Sequence, residues 1–253
     1  MPKARDSSNR FRCYGTSEMR EVVVRQSQML SPNVRGLTLA CADGAPLDYV
    51  PGQWVNLELD LGGQRDKRAY SIASAPNTRD PSCFEIAVTR VDEGLVSRAL
   101  HDVPDGSVIA MDGPHGFFTR EGQTSAPAWF VGTGTGVCPL RAMLQAELAA
   151  GDGPTLGLLF GTRSEPEILY RAEFEALAAA HPRFEFHVTL SRPTEAWTGA
   201  RGYVQSQLGR LIDARVKPHV YICGLSDMVS GVRRVLKEEL GYDRRSIHSE
   251  RYD

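Results

Sequence analysis

Pro127-Ala128-Trp129-Phe130-Val131-Gly132-Thr133-Gly134-Thr135-Gly136-Val137-Cys138-Pro139 is the stretch on which the fold turns. A short apolar strand over Pro127 to Val131 runs into a glycine- and threonine-rich turn, and Val137, Leu140, Leu144 and Leu148 then follow at helical spacing. Strand, turn and helix in that order open a parallel sheet wrapped by helices. Glycines at such a turn let the backbone approach a pyrophosphate, and the helix N-terminus offers free N–H groups and a positive end. The turn lacks the third glycine and downstream acid of the dinucleotide fingerprint and the Gly-Lys-Ser/Thr of a P-loop, so a turn without a ligand remains an alternative at this point.

Downstream, strands over Thr155–Phe160, Phe184–Leu190 and His219–Cys223 alternate with helices carrying Tyr170, Phe174, Leu177 and Ala178, then Val204 to Leu211, then Met228, Val232, Val235, Leu236 and Leu240. Ligands of such sheets bind at the carboxyl ends of the strands. Cys223-Gly224 stands at one of those ends, although a buried thiol is more often inert packing. Upstream the period changes. Val22 and Val24, then Leu37, Leu39 and Cys41, then Val55, Leu57, Leu59 and Leu61 alternate with polar residues, with Cys83–Val88 and Val108–Met111 as further strands. About six short strands separated by turn residues predict a closed or nearly closed antiparallel barrel. One helix interrupts it at Gly94–Leu100, with Leu95 and Ala99 expected to face inward and Val96 and Leu100 as further candidates. The composition becomes loop-like over 121–126. The expected organisation is a loose arm over 1–19, a β-barrel domain over 20–122 and an α/β nucleotide-binding domain over 123–253.

Within the barrel half, Arg68-Ala69-Tyr70-Ser71-Ile72-Ala73-Ser74 places a cation, a ring and a hydroxyl at a strand end. Arg68 suits a phosphate, Tyr70 offers a face for a flat ring, and the Ser71 hydroxyl can donate to a ring nitrogen. The net charge of −2 excludes a general nucleic-acid field. No apolar run approaches the ~20 residues of a membrane helix, and the polar, basic start is not a secretory signal. The cysteines at 13, 41, 83, 138 and 223 show no metal or iron–sulfur spacing, so no metal site is expected. Their odd number points to free thiols and a cytoplasmic setting.

Arg68-x-Tyr70-Ser71, Gly94-x-x-Ser97, Gly134-Thr135-Gly136-x-x-Pro139, Cys223-Gly224 and Glu250 near the end, in this order and spacing, resemble the ferredoxin–NADP reductase superfamily, in its compact bacterial form. The resemblance covers roughly residues 20–253 and is carried by the ordered set. It implies an antiparallel six-stranded FAD-binding barrel followed by a parallel-sheet α/β domain for a nicotinamide nucleotide. By it, Arg68 would hold the FAD pyrophosphate, Tyr70 would stack on the isoalloxazine, and Ser71 would bond flavin N5. The backbone of Ile86, Ala87 and Val88 would line the flavin, and Gly94, Val96 and Ser97 would meet its pyrophosphate. Gly134, Thr135 and Gly136 would meet the nucleotide pyrophosphate, with Cys223 and Gly224 beside the nicotinamide and Glu250 closing the network at the reacting ring. Tyr252 is the candidate for the aromatic cover that many members carry on the flavin, with a frayed, solvated tail as the alternative, and Asp253 beyond it departs from the family's ending.

The resemblance implies an FAD-dependent ferredoxin–NAD(P)+ reductase. It would pass a hydride between NADPH and flavin N5 and single electrons to a ferredoxin or flavodoxin, an acidic carrier, as a monomer. Arg163, Ser191-Arg192 and Arg201 near the expected adenosine pocket favour NADPH over NADH. Ser191-Arg192-Pro193 with Trp197-x-Gly199 also resembles NADH-dependent reductase components of multicomponent oxygenases, which is the alternative. A flavin-binding electron-transfer subunit without nicotinamide turnover is the third reading, and Thr135, Cys223 and Glu250 argue against it. Arg65, Lys67, Arg98, Arg233, Arg234 and Arg245 are candidate contacts for an acidic carrier.

Overall fold

The computed structural model describes residues 19–120, 122, 124–213 and 215–252. All but the last residue of the expected N-terminal arm lies outside the described residues, and so does Asp253.

Six strands form the first sheet: β1 (Arg20–Ser31), β2 (Val34–Cys41), β3 (Trp54–Asp60), β4 (Arg65–Ser71), β5 (Cys83–Thr89) and β6 (Val108–His115), in the order β4-β3-β6-β1-β2-β5. All its pairings are antiparallel. The alternation in the sequence sorts cleanly: Val22, Val24, Leu37, Leu39, Val55, Leu57, Phe84, Ile86 and Met111 share one buried core. Edge strands leave unpaired backbone groups, which closure removes. Here Ile72, just past β4, bridges to Ile86 of β5, and the Ala73 N–H donates to Glu85 O at 2.7 Å, so the sheet closes into a barrel.

Helix α1 (Leu95–Asp102) packs against β4 and β5. Its inward stripe is Val96 and Leu100, both buried, whereas Leu95 is 55% exposed. This corrects the expectation of Leu95 as an inward residue: Ala99 is half-buried, and the further candidates Val96 and Leu100 form the buried stripe. The cause is local: Ser97 Oγ accepts from Val91 N–H at 3.1 Å and reaches Gly94 O at 3.0 Å, which ties the first turn back and turns the 96/100 stripe to the core.

The second sheet is parallel throughout, with β7 (Ala128–Thr133), β8 (Leu156–Thr162), β9 (Phe184–Leu190), β10 (Ala200–Arg201), β11 (His219–Gly224) and β12 (Ile247–Arg251) in the order β10-β9-β8-β7-β11-β12. Helices α2 (Val137–Ala149), α3 (Arg171–Ala180), α4 (Leu208–Leu211) and α5 (Ser226–Arg234) accompany it. The central strands β7 and β8 are buried on both faces, as their unbroken apolar runs require. The two short edge strands, β10 and β12, are absent from the sequence reading. The strand order reverses at β7, with β8 on one side and β11 on the other, so a crevice opens at their carboxyl ends.

Helix α2 is buried from Val137 to Leu144 without a break. A surface helix buries one stripe, and a helix buried all round lies between two layers. One core cluster explains it: Val34, Ala73, Ala87 and Phe118 of the barrel half join Val137, Cys138, Leu140, Met143 and Leu144 of α2 and Phe130, Leu158 and Phe160 of the sheet.

Candidate active site

The barrel contributes one wall. Register puts Arg68 opposite Leu57 and Tyr70 opposite Val55, on one side of β4, with Ser71 on the other. Arg68 is exposed, its guanidinium paired with Asp66 and bonded to Lys67 O at 2.8 Å. Tyr70 is half-buried against the barrel core, and burial pushes its phenol up to about 12. Because α1 lies against β4 and β5, the Arg68 strand, the Gly94–Ser97 turn and Ile86–Val88 adjoin. The side chains of Ile86, Ala87, Val88 and Val96 are buried, which leaves only their backbone for a ligand. Ser97 is buried and its hydroxyl is used within the turn. What the turn presents is its N–H groups: α1 has no side-chain cap and no acid in its first turn. That donor set, next to Arg68, fits an anionic pyrophosphate.

The α/β half contributes the other wall. A cleft of about 840 Å³ lies at the carboxyl ends of the parallel strands and is lined by Gly134, Thr135, Arg163, Ser191, Arg192 and Gly224, among others. Gly134 turns at φ +54, in the left-handed region, and Gly136 packs so tightly that a Cβ there would lie 2.3 Å from Cys223 O. The two glycines thereby set the α2 N-terminus directly on the end of β11. That terminus is also uncapped and free of acids. Arg201 is not among the cleft-lining residues; its guanidinium bonds the carbonyls of Thr194, Glu195 and Trp197 and fastens the loop after β9. Arg163 and Arg192 are thus the arginines of the three that reach the cleft. Sequence reasoning missed Tyr203, a 71% exposed ring at the rim of this cleft, and the barrel residues Ser31, Asn33 and Thr89 that close it from the far side. The signal for Tyr203 was an aromatic directly after Arg201-Gly202; nothing in the sequence marks the barrel residues.

The walls meet at the C-terminus. β12 pairs with β11 so that Glu250 stands beside Cys223, and Tyr252 N–H donates to Gly224 O at 3.1 Å. The Tyr252 hydroxyl bonds Ser71 Oγ across the two halves. Ser71, Cys223, Glu250 and Tyr252, assigned from distant parts of the sequence, therefore form one cluster. Their titration follows from burial. The Cys223 thiol is pushed well above its usual range by burial and then by the Glu250 carboxylate. Tyr252 is pushed up by burial in the same way, and burial alone lifts Glu250 to about 7. Cys223 is therefore a neutral thiol at physiological pH, a small apolar wall rather than a nucleophile. Within the cluster, Glu250 is the carboxyl whose ionisation burial brings towards neutrality. At the far end of the turn, Thr135 Oγ1 lies 3.4 Å from Thr89 Oγ1 of the barrel.

The six basic candidates for carrier docking fall into two groups. Arg65, Lys67 and Arg98 are on the barrel half, where Arg65 pairs with Glu58 and Lys67 with Asp112. Arg233, Arg234 and Arg245 are on the other half, where Arg233 bonds Ser249 Oγ and Arg234 pairs with Glu239.

Comparison with known proteins agrees with this two-walled architecture. A family model described as an oxidoreductase FAD-binding domain matches residues 21–119, and one described as an oxidoreductase NAD-binding domain matches residues 130–234. The chain is 48% identical over 242 residues to ferredoxin–NADP reductase B of Sorangium cellulosum, which covers 93% of this chain and 97% of that relative. It is 30% identical over 208 residues to the glycine betaine monooxygenase reductase subunit of Pseudomonas aeruginosa, covering 81% of this chain but only 56% of that longer relative. Among solved structures, the FAD/NAD-binding domain of nitric oxide dioxygenase from Vibrio cholerae superposes with a TM-score of 0.80 at 29% identity, over 92% of this chain and 98% of that one.

Proposed function

Because this chain belongs to the ferredoxin–NADP reductase superfamily, we propose that the junction of Ser71, Cys223, Glu250 and Tyr252 is where its nicotinamide and flavin meet. The enzyme is an FAD- and NADP-dependent oxidoreductase. A bound flavin supplies the exchange between two-electron and one-electron chemistry. The chain's own residues hold and orient it. Arg68, with the α1 N-terminus over Gly94–Ser97, holds the FAD pyrophosphate, Tyr70 supports the ring, and the backbone of Ile86–Val88 lines it. Gly134, Thr135 and Gly136 hold the pyrophosphate of the nicotinamide nucleotide. Tyr252 covers Cys223 and must swing aside for a nicotinamide to reach Ser71. Ser71 then orients the reacting edge, and Glu250 adjusts the proton inventory beside it. The observation that carries this reading is the Tyr252–Ser71 bond, which brings the two halves together at one point.

The electron acceptor in this reading is a ferredoxin-type carrier, met by the monomeric enzyme in the cytoplasm. NADPH is its donor, since Arg163 and Arg192 both line the cleft and an arginine fork suits a 2′-phosphate. The test is anaerobic reduction with NADPH and NADH side by side. Wild type bleaches faster with NADPH, and Arg192→Ala raises KM for NADPH by about tenfold or more, the equivalent of about 1.4 kcal/mol, while KM for NADH stays near its starting value. Equal losses for both nucleotides remove the phosphate role.

A further inference from the structure

Behind the active site, a buried guanidinium ties the barrel to the α/β half. Arg141, in the second turn of α2, is only 6% exposed. Its Nη1 donates to Ala73 O at 2.7 Å and to Glu85 Oε2 at 2.9 Å, both on the barrel. Its Nε donates to both Glu173 oxygens at 2.9 Å, and its Nη2 lies 2.7 Å from Glu173 Oε2, on α3. The guanidinium carbon also lies 4.2 Å from the centre of the Tyr170 ring. Burial works against the charge, and the Glu173 and Glu85 carboxylates more than offset it, so the proton is held more tightly than in water. One turn on, Gln145 repeats the bridge: its Oε1 accepts from Ala75 N–H at 2.8 Å and its Nε2 donates to Glu173 Oε1 at 2.7 Å.

The backbone groups gripped on the barrel side decide what this does. Ala73 and Ala75 follow Ser71 by two and four residues in the same chain segment. The helix doing the gripping starts at the Gly134–Gly136 turn, which lines the nucleotide cleft. One rigid helix therefore holds the nucleotide turn at its first turn and the tail of the Ser71 strand at its second and third. A lysine ammonium has its three donors on one atom and lacks the planar fork, so it cannot keep the two-edged grip on Glu173 together with the bonds to Ala73 O and Glu85.

We propose that Arg141, with Gln145 beside it, is the positioning residue that sets the separation between Ser71 and the nucleotide turn. It is not among the residues lining the nucleotide cleft and acts through the Ala73–Ala75 backbone. The inference rests on the reading of Ser71 as part of the reacting centre. A misplacement of about 1 Å between reacting groups costs about 100-fold in rate even when its cause is remote. Ground-state binding, made by the turn and the cleft arginines, is left alone.

The test is Arg141→Lys in the FAD-loaded enzyme, assayed by NADPH oxidation with ferricyanide. The kcat falls by about 10- to 100-fold, whereas KM for NADPH and flavin content change by less than about threefold. The long-wavelength absorbance of a nicotinamide stacked on flavin weakens in the same variant. Hydrogen exchange of the amides at 72–75 speeds up relative to the rest of the barrel. A merely structural role would lower stability and flavin content and leave the kcat of the folded fraction unchanged, and that result overturns the proposal. If the lysine variant does not fold, Gln145→Met decides: a fall of about threefold or more in kcat at constant KM supports it, and an unchanged kcat overturns it. Wild-type enzyme that NADPH does not bleach would instead refute the proposed function itself.

Discussion

Glu250 shows how much one carboxyl's surroundings matter. Among the described residues, no hydrogen bond or cation lowers it; burial lifts it to about 7, beside Cys223. The sign of the consequence is fixed. The folded protein keeps this proton between the ordinary carboxyl range and about 7, so the residue's cost to stability is absent in acid, grows as pH rises through that window and is complete above it. Glu250→Gln therefore raises the melting temperature above pH 7, on the order of 2–4 °C, and changes it little near pH 4. In the wild type, the pH profile of NADPH oxidation carries an inflection near 7 that the glutamine variant lacks. An inflection that survives in the variant assigns the ionisation to another group. Ser71 and Tyr252 were visible as candidates in the sequence, but their contact was not. They lie at the ends of β4 and just past β12, and no local pattern relates two strand ends from different sheets.

Among the elements, α2 carries the greatest burden, and its sequence disguises it. The apolar spacing at Val137, Leu140, Leu144 and Leu148 predicts an ordinary amphipathic helix, and the polar residues between should then face water. Instead Arg141 is buried, and Glu147 forms a buried ion pair with Arg120 at 3.0 Å, their side chains 9% and 3% exposed. Polar groups on a helix face go inward when a second layer supplies partners, which sequence periodicity does not reveal. Glu147→Ala leaves the Arg120 charge buried without its carboxylate and costs about 3–5 kcal/mol, read as a lower urea midpoint at an unchanged slope. A loss below about 1 kcal/mol would show that Arg120 finds water instead. β12 makes the complementary point. The tail after Ser249 allowed fraying, yet Ile247–Arg251 adds a parallel strand to β11, because that edge of the sheet is open and Ile247 completes the core beneath α5.

The whole molecule is two sheets sharing one of its cores. Barrel residues Val34, Ala73, Ala87 and Phe118 sit in the same cluster as α2 and β7–β8. Neither half can open without exposing that surface and unpairing Arg141. Calorimetry should accordingly give one unfolding transition, with calorimetric and van't Hoff enthalpies in agreement. Two separated transitions would mean that the shared core contributes little. The joint also gives the cleft its second wall: Ser31, Asn33, Thr89 and Val91 of the barrel line it along with the Gly134–Thr135 turn.

The sequence alone determined the fold class and named the candidate residues of the site. Period-two alternation before about residue 120 and strand–turn–helix alternation after it leave few other architectures. The turn glycines, Arg68-x-Tyr70-Ser71, Cys223 and Glu250 are local requirements written in local residues. Tertiary structure alone decided which arginines line the cleft, turning Arg201 to its own loop while Arg163 and Arg192 border the cleft. It decided that Val96 and not Leu95 enters the barrel, and that Tyr252 meets Ser71 across the halves. The reason is common to all three. Periodicity reports which face of an element is apolar, whereas the partner of a polar side chain depends on which elements the closed fold brings together.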